Sequence, residues 1–324
     1  MTSERRLLGG ALLIVVAATF FGTLGPVSRF AYDAGVTPLG FTAWRALIGA
    51  TVLGVALLIL RRRGERLVDL RELPRSEAAA LVTTAVATTL VNLAIFVAFQ
   101  RITIALALLA FYTYPAMVGA VAAFTGRERL DASRLVALGL ALGGMALVVL
   151  GQLGTAGGDV QLDVLGLALA FVGAGANVIY LLAARGGFPS LPPRQATFSI
   201  LFISEICFVA IALVTGTLAS IAEPLGQPAA WPDLLFAGIA GAAFPSVLLL
   251  AGVRRIGAVR TSILMLLEPV VGVVLAALLL GETLIAIQVF GGALVLAGAA
   301  LAQRNSRDVA DSGLGPAVVE SAAG

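Results

Sequence analysis

Leu267-Glu268-Pro269-Val270 opens an apolar run that ends at Leu280-Gly281-Glu282-Thr283-Leu284, and a stretch 154 residues earlier has the same frame. There Tyr114-Pro115 opens the run and Arg127-Glu128-Arg129-Leu130 closes it. Pro115 falls on Pro269, Ala122-Ala123 on Ala276-Ala277, Glu128 on Glu282 and Leu130 on Leu284. The register reaches back to Arg101-Ile102, which falls on Arg255-Ile256. Identity is low but the order is kept, so the chain reads as a duplication.

The runs are apolar because the chain is: 60% of its residues are hydrophobic and 12% charged, and its mean hydropathy is +1.03. A soluble domain carries about a quarter of its residues as charges, so most of this chain must face lipid. A helix crossing a hydrocarbon core of about 30 Å needs roughly 20 mostly apolar residues. Ten runs qualify: 7–30, 39–60, 78–99, 102–124, 135–153, 165–184, 196–219, 234–253, 261–280 and 284–302.

All 21 basic residues are arginine, and arginine beside span ends is retained on the cytoplasmic side. With the N-terminus inside, 18 of the 21 fall in cytoplasmic segments, the densest being 61–77 with Arg61, Arg62, Arg63, Arg66, Arg71 and Arg75. The opposite loops keep Arg101 and carry Asp33, Asp159 and Glu223, and Trp44 and Trp231 stand near outer span ends as interfacial anchors. Five spans separate equivalent positions of the duplication, and five is odd, so the two halves have opposite orientation. The expected fold is therefore an all-α membrane protein of ten transmembrane helices in two inverted five-helix repeats. Residues 1–154 form the first repeat, 155–303 the second and 304–324 a disordered cytoplasmic tail. The chain should lie in a bacterial inner membrane with both termini cytoplasmic. Arg5 and Arg6 ahead of the first run imitate a signal peptide, but the run continues to Phe30 and reads as an uncleaved helix.

Absent residue types exclude whole chemistries. Without lysine there is no Walker A lysine, and without histidine no Ser-His triad or histidine metal ligand. Cys207 is the single cysteine and sits in an apolar run, so it builds neither an intramolecular disulfide nor a zinc cluster. No span holds a pair of aspartates, which argues against an intramembrane enzyme. The chain is expected to be no enzyme and to need no cofactor and no metal. Inverted repeats are a property of secondary transporters, because two near-equal halves can exchange conformations around a central site.

The Pro-x12-Glu-x-Leu spacing, present twice, resembles the EamA repeat of the drug/metabolite transporter superfamily. So does Phe21-Gly22-Thr23 leading to Trp44-Arg45, an arginine early in the second span. The resemblance covers about residues 8 to 303, and the chain departs from the family pattern at Tyr114-Pro115 and Arg127. It implies ten helices around a central cavity and transport of amino acids, nucleobases, sugars or other metabolites, often exported in exchange for protons.

Ionisable groups inside spans are functional candidates by default. Arg29 lies near the outer end of the first span and reads as topological. Arg45 stands about 9 Å into the second span, Glu205 about 14 Å into the seventh and Glu268 about 10 Å into the ninth, at the helical rise per residue. Low dielectric penalises a charged carboxylate, so glutamates in such places take up and release protons as their surroundings change. Glu205 and Glu268 are thus the expected proton-coupling pair. The alternatives are an ion pair of Glu205 with Arg45, and a structural Glu268 that satisfies backbone groups freed by Pro269.

Helical spacing adds Asn177 and Tyr180 in the sixth span and Asn92 in the third as substrate-binding candidates. Tyr112, Tyr114 and Ser246 stand beside Pro115 and Pro245, where backbone is loosened. Hydrogen-bonded glue between helices is the competing reading for Asn92, Asn177 and Ser246. Gly139 and Gly143 in the fifth span, with Ala293 and Ala297 in the tenth, are expected helix-packing seams.

The sequence thus predicts a permease for a small polar metabolite, an amino acid or a related compound, with export the expected direction and proton coupling available. A passive facilitator and a structural or sensory membrane protein are the alternatives. Its expected partners are a small-molecule solute and the lipid bilayer, with a homodimer as the candidate assembly and no nucleic acid.

Overall fold

The structure, a computed structural model, describes residues 3–102, 104–125, 132–155, 163–280 and 285–311. Glu128 and Glu282, the glutamates of the duplicated motif, lie outside the described residues. Among the described residues the chain is helical with no strand. A chain in lipid has no water to satisfy its amides, and a helix satisfies them within one segment.

The first half runs through α1 (Ser3–Gly22), α2 (Leu24–Asp33), α3 (Pro38–Arg62), α4 (Arg75–Arg101), α5 (Ile104–Phe111), α6 (Tyr114–Phe124) and α7 (Ala132–Thr155). The second runs through α8 (Val164–Gly186), α9 (Pro193–Thr215), α10 (Leu218–Ala222), α11 (Trp231–Gly238), α12 (Phe244–Ile256), α13 (Ala258–Met265), α14 (Leu267–Leu280) and α15 (Ala286–Asp311). A five-residue π segment, Ile239–Ala243, joins α11 to α12. α15 continues to Asp311, past residue 304 where a disordered tail was expected to begin.

Among the described residues, seven helical segments are long and apolar enough to cross a membrane, and Leu135–Gly151 and Ala286–Ala302 are shorter apolar helices. The expected ninth span is two pieces, α13 and α14, neither of which is long enough alone. The expected fourth span is interrupted likewise, between α5 and α6. The two interruptions, at Tyr112-Thr113 and at Leu266, are equivalent under the 154-residue shift. Each is followed by a proline in the first helical turn, where the missing N–H costs nothing.

Packing repeats when the halves are exchanged. α4 lies on α8 as α12 lies on α1, while α3 packs on α9 and α7 on α15. In the α7–α15 contact, a Cβ built on Gly144 would meet the Val295 amide nitrogen at 2.7 Å, and one on Gly291 would meet the Val148 amide nitrogen at 2.8 Å. Backbones this close leave room for glycine alone. The seam therefore runs through Gly144, Gly151, Gly291 and Gly298, which corrects the sequence expectation. Gly139 and Gly143 are exposed with open space before them, and Ala293 and Ala297 are exposed. The expected stripes are real helical faces, but they are turned outward.

Connections also cross between halves. Val68 donates its N–H to Gln195 Oε1 at 3.1 Å, the Gln195 amide donates back to the Val68 carbonyl at 2.5 Å, and Arg194 pairs with Glu65. The first connection is thereby fastened to the start of α9. The equivalent connection, 216–230, is fastened to the start of α3: Trp44 Nε1 donates to the Ile221 carbonyl at 2.7 Å, and Glu223 accepts from the Thr37 N–H at 3.3 Å. Trp44 and Trp231 meet edge to face with ring centroids 4.9 Å apart. Arg101 bridges to Asp163 at 2.8 Å, linking the end of α4 to the start of α8 and holding the Asp163 carboxyl below its usual range.

Candidate functional site

Arg45 stands on the second turn of α3, where Thr37 caps the helix by accepting from the Gly40 N–H at 3.2 Å. Its side chain is 8% exposed, so its charge needs compensation from within the protein. One terminal nitrogen donates to Asn92 Oδ1 on α4 at 2.5 Å, and the other reaches the Gly241 carbonyl at 3.4 Å. Gly241 belongs to the π segment, where one residue too many per turn frees a carbonyl from the ladder. Asn92 is oriented in turn, its amide donating to the Thr88 carbonyl at 2.7 Å. Arg45 Nε is buried with no partner, and so is the hydroxyl of Tyr32 on α2, which lies within electrostatic range of the guanidinium.

Glu268 opens α14 on the far side of this arginine, within range of its charge. The Tyr112 hydroxyl faces its carboxylate, and Tyr114 stands close by with Asn177 of α8 beside its own hydroxyl. Both tyrosines are almost fully buried and pack on Phe111 and on each other. Glu268 itself keeps some accessible surface although protein surrounds it. The two helix interruptions thus deliver Tyr112, Tyr114 and Glu268 to one place, facing Arg45 and Asn92.

The other sequence candidates lie elsewhere. Glu205, on α9, does not pair with Arg45: its Oε2 is buried with no hydrogen-bond partner, and the arginine is engaged by Asn92 and Gly241 and faces Glu268. Its neighbours one turn away on the same face, Leu201 and Phe208, pack against small residues of α3, including Ala50, Ala43 and Ala46. Tyr180 is buried beside Arg254 of α12. Arg254 donates to the Leu191 and Phe188 carbonyls at 2.7 and 3.0 Å and lies over the Phe188 ring. Tyr180 thus belongs to the strap that holds the α8–α9 connection. Ser246 is half-buried in the first turn of α12.

Tyr32 and the Gly241 carbonyl were missed in the sequence. Tyr32 reads as an interfacial tyrosine at the end of a run, and a backbone oxygen has no sequence signature beyond Pro245 a few residues on.

Residues 8–150 and 164–303 each match the EamA-like transporter family. The chain belongs to that family. It is 27% identical over 295 residues to an uncharacterized transporter of Archaeoglobus fulgidus, covering 91% of this chain and 96% of that one. It is 28% identical over 294 residues to the uncharacterized transporter YwfM of Bacillus subtilis, covering 89% and 91%. A crystal structure 20% identical in sequence superposes with a TM-score of 0.71 over 92% of this chain and 98% of the other, a likeness of fold. Family and apolar helices together make this EamA member a multi-pass membrane transporter. The two matched segments are the two halves whose packing repeats, so the duplication read from Pro115 and Pro269 is the family's own.

Proposed function

We propose that this chain is an inner-membrane permease that exports a small polar solute, an amino acid or a related compound, by proton-coupled alternating access. In this reading ten spans form two inverted five-helix halves, with the arginine-rich ends and both termini in the cytoplasm. The observation that carries it is a buried arginine, Arg45, whose Nε–H has no partner and which faces Glu268 from the other half. An unpartnered donor on a buried cation costs free energy unless something fills it, and a solute carboxylate suits it in charge and geometry. Glu268 then serves either the ammonium end of the solute or a proton.

Exchange of the two halves' packing is what alternating access requires, since each half must be able to adopt the other's arrangement. Glu268 is the principal proton carrier in this scheme. Glu205, half-buried with its Oε2 unpartnered but standing apart, is the second.

Proteoliposomes holding the wild type, Glu268→Gln and Glu205→Gln separate these roles. Amino-acid flux should respond to an imposed pH gradient in the wild type, lose that response in Glu268→Gln and keep part of it in Glu205→Gln. Unchanged proton dependence in both variants would sink proton coupling, and absence of flux for every amino acid tried would sink the solute class.

A further inference from the structure

We infer that the connection between α3 and α4 is a seat for anionic phospholipid headgroups. Six arginines lie within or beside it, Arg61, Arg62, Arg63, Arg66, Arg71 and Arg75, and all six are exposed. None of their guanidinium groups has a hydrogen-bond or ion-pair partner among the described residues. The neighbouring acids make no ion pair with these six guanidinium groups. Glu65 is taken by Arg194, Asp69 accepts the Arg71 N–H at 2.9 Å, and Glu77 holds Ser190 through its N–H and its hydroxyl. With Glu65 paired to Arg194, the six arginines outnumber the three remaining carboxylates, Asp69, Glu72 and Glu77, and the segment keeps a net positive charge.

Setting the orientation of a span needs positive charge on one side but does not need it held in place. Here it is held. The paired bonds between Val68 and Gln195 fasten the middle of the connection to α9, and Gln195 is itself buried. Arg62 and Arg63 stand one helical turn beyond Leu58 and Ile59, which are exposed on the face of α3 turned to lipid, so these arginines sit where headgroups lie. Leu70 is exposed in the short 3-10 turn beside Arg71, as an apolar residue dipping into an interface would be. Basic clusters next to a membrane span attract anionic lipid, each arginine contributing to the attraction. The equivalent connection of the second half, 216–230, has no arginine and carries Glu223 as its one charge. The same backbone element therefore attracts anionic headgroups in one half and not in the other.

Native mass spectrometry on the full chain in neutral detergent tests this, with phosphatidylglycerol and phosphatidylcholine of identical acyl chains as probes. The wild type should retain phosphatidylglycerol preferentially. The triple variant Arg62→Gln, Arg66→Gln, Arg71→Gln should weaken that retention about 100-fold, and Arg66→Gln alone about fivefold. The matching triple lysine variant, which keeps the charge, should retain most of it. The single variant carries the test if the triple one melts early in detergent. Undiminished preference for phosphatidylglycerol in the glutamine variants overturns the proposal. So does release of the lipid from the wild type by excess inorganic phosphate, which would mark a site for free anions.

Discussion

The interrupted helix α5–α6 and the interrupted helix α13–α14 are copies of one element, broken at equivalent places and restarted on Pro115 and Pro269, yet they carry different chemistry. Where the first presents Tyr114, the second presents Glu268, 154 residues on. The same divergence recurs opposite them. Arg45 and Asn92 in the first half answer to Ser199 and Ser246 in the second, and Ser199 spends its hydroxyl on the Gln195 carbonyl at 3.1 Å. Duplication kept the backbone device and segregated the charges, one cation in one half and one anion in the other. Any motion of the halves against each other must then change the attraction between Arg45 and Glu268. A symmetric pair of sites would have no such handle.

The largest effect should come from removing one charge alone. Arg45→Gln leaves Glu268 deep in the protein without its countercharge and should cost about 3 kcal/mol in unfolding measured in detergent. The double variant Arg45→Gln, Glu268→Gln should recover much of that loss. Strict additivity of the two single effects would mean that the halves do not speak through this pair.

The α7–α15 contact sharpens the comparison, because there the halves remain alike. Gly144→Leu pushes a side chain into the backbone of α15 and should cost about 1–3 kcal/mol. Gly143→Leu, one residue away with open space before it, should change stability by less than about 0.5 kcal/mol. Equal melting temperatures for the two variants would place the seam elsewhere.

The smallest effect is expected at Arg101 and Asp163, an exposed bridge from the end of α4 to the start of α8. The folded Asp163 carboxyl is held below its unfolded value, so its contribution is complete above the usual carboxylate range and fades as pH falls through the folded value. Because the bridge is exposed, Asp163→Asn should leave the melting temperature unchanged within error at neutral pH. A marked destabilisation there would show the bridge to be part of the closure between halves.

Much of this protein was legible before any coordinates. Apolar runs give helices because lipid offers backbone amides no other partner, and Pro115 and Pro269 mark where two of those helices restart. Asn92, Tyr112, Tyr114, Asn177 and Glu268 stand out because polar groups in a span are costly. The helix count is harder to read, since α13 and α14 make one apolar run in sequence and two short helices in space.

Periodicity assigns a residue to a face of its own helix, and there sequence reasoning stops. It found the small-residue stripe on α7 but not that the adjacent one, through Gly144, meets α15, because which face is covered depends on the partner helix. It named Arg45, Glu205 and Glu268 and offered Glu205 as the alternative partner of the arginine, since depth in a span says nothing about direction around the bundle axis. Composition and the 154-residue register are enough to make this chain a duplicated helical membrane protein with costly charges in its spans. Which of those charges face each other follows from packing, because it depends on how α3, α4, α14 and the π segment after α11 come together.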